Sequence, residues 1–273
     1  MTTIAAALAA ARNNIAISEA KRLLRHVLAC AAAHLEAHRE DELPAEAAAR
    51  FAELVGRRAA GEPIAYLTGA REFYGRLFEV TPAVLIPRPE TELLVELGIA
   101  KVASMPQPRI LELGTGSGCI AVSLALELTA KGATVTAADI SPDALAVAQR
   151  NAATYNVTLR LVESDWFAAL NGERFDLIVA NPPYIPLGDP HLSQGDLRFE
   201  PPQALASGAD GLEALRRIVG AAPHHLKPGG WLQFEHGYDQ ATLVHELLRA
   251  AGFREIQQHR DLAGIVRVSG GRV

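Results

Sequence analysis

The stretch Leu-Glu-Leu-Gly-Thr-Gly-Ser-Gly at residues 111–118 decides how this sequence folds. It joins a strand pattern over Arg109–Leu113 to a helical pattern that starts at Cys119. Glycine at every second position permits positive φ and lets a ligand lie close to the backbone. In open α/β sheets a ligand binds beyond the carboxyl ends of the strands. The stretch indicates a ligand-binding loop or, as the alternative, a tight strand-to-helix turn that binds nothing.

The spacing of these glycines narrows the kind of ligand. It reads GxGxG, not the GxGxxG of dinucleotide-binding folds, and no Lys-Ser or Lys-Thr pair follows as in a phosphate-binding P-loop. An NAD-dependent oxidoreductase is therefore disfavoured.

Outward from this loop, strand and helix patterns alternate towards the end of the chain. Strands are expected at Arg109–Leu113, Ala133–Ala138, Thr158–Val162, Phe175–Ala180 and Trp231–His236. Helices are expected near Cys119–Thr129, Ser141–Tyr155, Gly211–His225 and Asp239–Ala251. This alternation predicts an α/β fold with a doubly wound, mostly parallel sheet. Two last strands without a helix between them, Glu255–His259 and Ile265–Ser269, are predicted to form an antiparallel edge pair.

The sequence before this region has a different character. Residues 1–68 are rich in alanine, have apolar residues at helical spacing and show no strand pattern, which predicts a small bundle of short helices. Ser18 is the expected N-cap of one of them. Residues 69–89 carry strand-prone residues interrupted by Gly75 and Pro82, which predicts a β-hairpin linker. Residues 90–273 then form the predicted α/β domain.

Composition and charge exclude several classes of protein. The 273 residues carry a formal net charge of −5, and 49% of them are hydrophobic, which is ordinary for a globular chain. The mild acidity argues against a protein that binds nucleic acid mainly by neutralising phosphates. No apolar run approaches the ~18 residues of a membrane helix, and no basic residue precedes the apolar run at 4–11, so no membrane span or secretory signal is expected.

Two cysteines, Cys30 and Cys119, are too few and too far apart for a disulfide framework or a structural zinc site. Thiols of this kind fit a reducing, cytoplasmic location. We expect Cys119 to be a small buried residue, and we expect no metal site.

Acidic residues follow the next two predicted strands. Asp139 ends the second strand, where its carboxylate can accept hydrogen bonds from both ribose hydroxyls of an adenosine. Ser141 is the better cap for the following helix, which leaves Asp139 for a ligand. Asp165 and Trp166 follow the third strand, where they could meet an adenine ring. The alternative for Trp166 is a core residue at a strand end.

Asn-Pro-Pro-Tyr at 181–184 follows the fourth predicted strand and indicates the chemistry. Two prolines stiffen the turn and remove two N–H donors, so that acceptors predominate: the Asn181 side-chain oxygen and the Pro182 carbonyl. Such a turn can hold a planar amino or amide nitrogen by its two N–H groups, while Tyr184 offers a ring to stack on. The two oxygens could also stabilise positive charge that develops on the nitrogen.

These motifs together resemble the HemK/PrmC family, the glutamine N5-methyltransferases that act on peptide-chain release factors. The resemblance covers most of the chain. It rests on Tyr66–Gly69, Arg71–Phe73, Leu85–Thr91, Leu113–Gly118, Ser164–Phe167, Asn181–Ile185, Gln194–Asp196, Arg198–Pro201 and Glu235–Gly237. It implies a class I methyltransferase fold that uses S-adenosylmethionine (SAM), preceded by a helical domain that recognises the substrate.

The resemblance also implies roles for individual residues. The cofactor would be bound by Gly114, Thr115, Gly116, Ser117, Gly118, Asp139, Asp165, Trp166 and Asn181. The substrate glutamine would be bound by Asn181, Pro182, Pro183 and Tyr184, of which Asn181, Pro182 and Tyr184 are the expected catalytic residues. The implied partner is a peptide-chain release factor; no nucleic-acid substrate or membrane partner is expected, and the chain is expected to act as a monomer.

Two other functions remain open from the residues alone. An adenine N6-methyltransferase acting on DNA could use the same four-residue turn, although such an enzyme should carry a basic target-recognition region. A non-catalytic SAM-binding module is the other alternative. At the junction of the linker and the 90–273 domain, Arg88 and Glu90 are expected either to organise the cofactor entrance or to form an ion pair at the helix start.

Overall fold

The computed structural model describes residues 2–273. Met1, with which the predicted helical domain begins, lies outside the described residues. The chain divides into two compact units, and the division falls between Ala70 and Arg71. Each unit has its own apolar core.

The first unit is all-helical. Its helices are α1 (Ile4–Ala11), α2 (Ile17–Leu28), α3 (Ala32–Ala37), α4 (Ala45–Ala59) and α5 (Ile64–Thr68). Leu23, Leu24 and Leu54 are fully buried in its core. The prediction that Ser18 caps a helix is wrong: α2 begins at Ile17 with Ala16 at the N-cap, two residues before Ser18, so Ser18 lies inside the first turn.

A short hairpin follows, formed by β1 (Ala70–Phe73) and β2 (Arg76–Glu79). Its two-residue turn consists of Tyr74 and Gly75, with φ of 52° and 70°. Positive φ at both positions is the geometry of the tight hairpin turn whose twist matches that of paired strands.

The second unit contains a seven-stranded sheet. Its strands are β3 (Arg109–Leu113), β4 (Thr134–Asp139), β5 (Arg160–Glu163), β6 (Phe175–Ala180), β7 (Leu226–Glu235), β8 (Arg254–Arg260) and β9 (Val266–Arg272). The spatial order is β5-β4-β3-β6-β7-β9-β8. The first five strands in this order are parallel, and β9 is antiparallel to both β7 and β8. The predicted fold, including the antiparallel edge pair, is confirmed.

Helices cover both faces of this sheet. They are α6 (Glu92–Val102), α7 (Cys119–Glu127), α8 (Pro142–Thr154), α9 (Glu213–His225) and α10 (Ala241–Ala250). Along β6, Leu177 and Val179 join the apolar cluster under α6 and α7, whereas Ile178 and Ala180 join the cluster under α9 and α10. A strand buried on both faces needs apolar side chains at every position, which explains its continuous apolar run.

The strand β7 is longer than the sequence predicted. It begins at Leu226, five residues before the expected Trp231. The turn residues Pro228, Gly229 and Gly230 obscured this first part, and the pairing with β6 shifts register where they lie. Bulges of this kind accommodate residues that a regular strand disfavours.

The parallel register brings four strand ends to one edge of the sheet. Leu113 at the end of β3 pairs with Ala138 of β4 and with Ala180 of β6, while Asp139 pairs with Glu163 of β5. The loops that follow β3, β4, β5 and β6 therefore leave the sheet side by side. None of the helices in the described part of the chain is long and apolar enough to cross a membrane.

Candidate active site

A cavity of about 280 Å³ opens at this edge of the sheet. Of the predicted site residues, those that line it are Gly114, Thr115, Gly116, Ser117, Asp139, Asp165, Trp166, Asn181 and Pro183. Four separate loops thus contribute to one space, near the lower end of the volume range of small-molecule sites. Gly118, Pro182 and Tyr184 are not among the lining residues, and the roles predicted for them stay predictions.

The glycine loop is held on the neighbouring strand by its backbone. The N–H groups of Gly114 and Thr115 both donate to the Ala138 carbonyl, at 2.9 and 3.0 Å. Gly114 and Gly116 have φ of 69° and 53°, values that residues with a Cβ rarely adopt. Residues 114–117 all line the cavity.

Gly118 has a packing role in this structure. It precedes α7 with φ of 76°, and a Cβ there would lie 3.0 Å from the Cβ of Ala148 in α8. A side chain at this position would push α7 and α8 apart.

Asp139 connects the second strand to the glycine loop. One carboxylate oxygen accepts from the Gly116 N–H at 2.8 Å, and the other from the Ser141 N–H at 3.0 Å. Ser141 itself caps α8 by accepting from the Ala144 N–H. Burial raises the pKa of Asp139, and these backbone donors oppose that rise. A carboxylate has about four acceptor positions, so the Asp139 side chain can still accept from a ligand hydroxyl.

Glu112 is a site residue that the sequence analysis missed. Its side chain is buried beneath the glycine loop, where Oε2 accepts from the Thr115 hydroxyl at 2.6 Å and from the Ala121 N–H at 2.9 Å. Burial raises the pKa of Glu112 to about 8. A glutamate between two leucines of a buried strand was the available signal, because such a carboxyl needs partners.

Burial also decides the state of Cys119, which is 7% exposed. Desolvation raises the pKa of the Cys119 thiol, so it stays neutral and is not a nucleophile.

Trp166 and Asp165 form another wall of the cavity. Trp166 has a φ of 52°, and its ring lies 3.7 Å from the position that a Cβ of Gly114 would occupy. The Trp166 carbonyl accepts from the Ser164 hydroxyl at 2.9 Å, which steadies this unusual backbone. Asp165 forms a half-exposed ion pair with Arg217 of α9 at 2.6 Å. Arg217 also lines the cavity, and no sequence pattern identified it.

Asn181 belongs to a chain of buried and partly buried hydrogen bonds. Its Nδ2 donates to the Thr91 hydroxyl at 3.1 Å, and that hydroxyl donates to Glu235 Oε2 at 2.6 Å. The Tyr184 hydroxyl donates to Glu235 Oε1 at 3.1 Å. Burial raises the pKa of Tyr184 beyond the physiological range, so the phenol is neutral. Among the described residues, no hydrogen bond uses the Asn181 side-chain oxygen.

The backbone around Tyr184 is fixed from the other side. Gln240 donates from Nε2 to the Tyr184 carbonyl at 3.0 Å and accepts from the Gly237 N–H at 2.9 Å. Ile185 exchanges hydrogen bonds with Leu205 and Ser207 in the following loop. The turn at 181–184 is therefore anchored at both ends.

One of the two expectations for Arg88 was a local ion pair with Glu90, and the structure contradicts it. The Arg88 guanidinium contacts the buried carboxylate of Glu200, which also accepts from the Ile86 N–H at 3.0 Å. The prediction of a local pair is wrong because Glu200 brings a carboxylate from a loop 112 residues further along the chain. Arg88 lies in the cavity wall but Glu90 does not, and a role of the two in organising the cofactor entrance stays a prediction.

No group of three or more histidine, cysteine, aspartate or glutamate side chains within residues 2–273 is arranged to hold a metal ion.

Comparison with known proteins agrees with this geometry. A family model described as the PrmC N-terminal domain matches residues 1–69, and one described as the methyltransferase small domain matches residues 90–190. The release factor glutamine methyltransferase of Bordetella pertussis is 53% identical over 254 residues, with 93% of each chain covered. That of Burkholderia pseudomallei is 52% identical over 262 residues, covering 93% of this chain and 91% of the relative.

Solved structures share the fold. A methyltransferase from Pyrococcus furiosus superposes with a TM-score of 0.52 at 19% identity, covering 80% of this chain and 95% of that one. The rRNA methyltransferase RsmC of T. thermophilus superposes with a TM-score of 0.54 at 21% identity, covering 74% of this chain and 49% of that one.

Fold and site together define a SAM-dependent methyltransferase. Because close relatives align over nearly the whole length, the family within this class follows as well. The chain belongs to the release factor glutamine methyltransferases.

Proposed function

We propose that this protein transfers the methyl group of SAM to the side-chain amide nitrogen of the glutamine in the Gly-Gly-Gln motif of peptide-chain release factors. The observation that carries the proposal is the hydrogen bonding of the Asn181 side-chain amide. Asn181 lines the cavity, its amide nitrogen donates to Thr91, and its side-chain oxygen has no hydrogen-bond partner among the described residues. An unpaired acceptor beside a rigid Pro-Pro turn suits the N–H group of a planar amide.

The residues around the cavity fit SAM. The backbone at 114–117, free of side-chain obstruction at Gly116, would hold the methionine end, and Asp139 would accept from the ribose hydroxyls. Trp166 and Asp165 would frame the adenine. When bound, SAM supplies a methyl group on a sulfonium, which is an electrophile with a neutral leaving group.

The chain's own contribution is to position the nitrogen and to stabilise the charge on it. An amide nitrogen is a weak nucleophile because its lone pair is delocalised, so alignment matters; good alignment contributes up to ~7–11 kcal/mol. The Asn181 oxygen and the Pro182 carbonyl are fixed dipoles that would stabilise the positive charge as it grows. Pro182 is buried and Pro183 lines the cavity, which keeps this turn from adjusting.

The nitrogen loses a proton only as the new bond forms, because its N–H becomes acidic at that stage. The proposal therefore assigns no strong base to the site. Tyr184 would serve as a neutral wall rather than as a phenolate, consistent with its raised pKa.

The proposal extends to partners and location. The helical unit would recognise the release factor, and the enzyme would act as a monomer in the cytoplasm without a nucleic-acid substrate. The net charge of −5 supports the last point, since phosphate contacts dominate affinity for nucleic acids.

The test is mass spectrometry of the Gly-Gly-Gln peptide from a purified release factor after incubation with this protein and SAM. We expect the mass of one methylene to be gained at the glutamine, and no gain without SAM. A parallel incubation replaces the release factor with duplex DNA. Transfer to adenine in DNA with none to the release factor would overturn the proposal.

A further inference from the structure

We infer that Glu235 is a positioning residue that, through Thr91, fixes which end of the Asn181 amide faces the cavity. The inference rests on the proposed function, in which the Asn181 oxygen receives the substrate amide. Glu235 touches neither the cavity nor the reacting atoms, so its effect would be transmitted entirely by hydrogen bonds.

Glu235 sits at the end of β7 and is 2% exposed. Both of its oxygens accept: one from Thr91 at 2.6 Å and the other from Tyr184 at 3.1 Å. Burial raises the pKa of Glu235, while these two hydroxyl donors and the positive charge of Arg267 oppose the rise. Because both Glu235 oxygens are the acceptors in these two bonds, Thr91 and Tyr184 must be the donors.

The donor role of the Thr91 hydroxyl in turn limits how Asn181 can bind to Thr91. The Thr91 hydroxyl has a single hydrogen, which it donates in the hydrogen bond to Glu235. What Thr91 can still offer is a lone pair, which only a donor can use. The neighbouring atom of Asn181 must therefore be its nitrogen, and it lies at 3.1 Å from the Thr91 oxygen. The Asn181 oxygen is left for the cavity.

A glutamine at position 235 would remove the requirement. Its own NH2 group could donate to Thr91, whose hydrogen would then turn towards Asn181. The Asn181 amide would be stable when flipped, with its oxygen on Thr91 and its nitrogen at the cavity. A nitrogen there would repel the N–H groups that the site is proposed to hold.

The test compares the wild type with Glu235→Gln, using saturating SAM and a purified release factor. We expect kcat to fall on the order of 10²-fold, the scale for loss of one oriented polar group in a site. The dissociation constant for SAM should stay close to that of the wild type, because Glu235 does not line the cavity.

A pair of variants at position 91 supplies the control. Thr91→Ser keeps the hydroxyl and should retain most of kcat. Thr91→Val keeps the shape but removes the hydroxyl, and kcat should fall as in Glu235→Gln. The double variant Glu235→Gln with Thr91→Val should lose no more than either single variant, because both interrupt the same chain of hydrogen bonds.

Thermal melting of each variant separates positioning from stability. A Glu235→Gln enzyme with wild-type kcat, whatever its melting temperature, would overturn the inference and leave the proposed function standing. If Glu235→Gln does not fold, the position 91 pair decides: equal kcat for Thr91→Val and Thr91→Ser would overturn the inference. A wild-type enzyme that leaves the release factor glutamine unmodified would instead refute the proposed function.

Discussion

The guanidinium of Arg88 is bound to the carboxylate of Glu200, although 112 residues separate them in the chain. The Glu200 side chain is fully buried, whereas 29% of the Arg88 side chain is exposed. The pair joins the segment before α6 to the loop that follows β6, and both segments contribute to the cavity wall.

Arg88→Met should therefore destabilise the protein by about 1–3 kcal/mol. Removing one partner of a fully buried pair costs about 3–5 kcal/mol, and the partial exposure of Arg88 reduces that figure. Urea denaturation measures the change. Arg216→Met is the matched control, since Arg216 and Asp210 form a pair in which both side chains are about half exposed, and no measurable change is expected. Equal midpoints for the two variants would show that the Glu200 pair contributes nothing.

Asn181→Ala should lower methyl transfer on the order of 10²–10³-fold, the scale for removing one group that stabilises developing charge. SAM binding should persist, because the backbone loop and Asp139 remain in place. Transfer of tritiated methyl groups to a release factor measures the first quantity, and calorimetry the second. The exposed Asn171, whose Nδ2 donates to the Ala168 carbonyl, provides a control substitution, Asn171→Ala. Full activity of Asn181→Ala would refute the role proposed for Asn181.

Glu112 should make the stability of the protein depend on pH. Its folded pKa of about 8 lies above the ordinary value of 4.5, so the folded state binds the proton more tightly than the unfolded state. The stabilisation is complete below the ordinary pKa and is lost as pH rises towards 8. The loss is at most about 1.4 kcal/mol per pH unit.

The experiment compares the wild type with Glu112→Gln by urea denaturation between pH 5 and pH 8, an interval that spans roughly the range between the two pKa values. The free energy of unfolding should fall more steeply with pH in the wild type. Parallel pH dependences for the two proteins would show that Glu112 does not carry the effect.

Gly211→Ala should disturb the turn at 181–184. A Cβ at this position would lie 2.3 Å from the Tyr184 carbonyl oxygen, and the φ of 75° disfavours any side chain. We expect a loss of more than about 1 kcal/mol in unfolding free energy. We also expect weaker methyl transfer. Gly220→Ala in α9 is the control, because its Cβ would meet no atom within 4 Å; in a helix it should stabilise by about 0.5–1 kcal/mol. An unfolding free energy of Gly211→Ala equal to that of the wild type would contradict this prediction, because it would show that the backbone at 211 adjusts to a Cβ without loss of stability.

The strands and loops of the site could be predicted from the sequence because the signals are local. Apolar runs mark β3 and β6 with the bounds that the structure has, and each is followed directly by a motif with special backbone chemistry. The parallel arrangement then requires these motifs to meet at one edge of the sheet. Where turn residues interrupt a strand, as at 228–230 in β7, the local signal fails.

The partners of those motifs could not be predicted in the same way. Thr91 and Glu235 are 144 residues apart, and Asn181 lies 90 residues from Thr91. A polar residue at the end of a buried strand indicates that its side chain needs hydrogen-bond partners. The sequence alone does not identify those partners. Glu112 and Arg217 were missed, and Arg88 was assigned Glu90 instead of Glu200, for the same reason.

The sequence by itself determined the order of strands and helices, the class of the fold and the edge at which a ligand must bind, because hydrophobic periodicity and turn chemistry act over a few residues. Only the tertiary structure decided which buried polar groups satisfy one another. Such groups are chosen by proximity in three dimensions, and burial makes their hydrogen bonds obligatory wherever the fold brings them together.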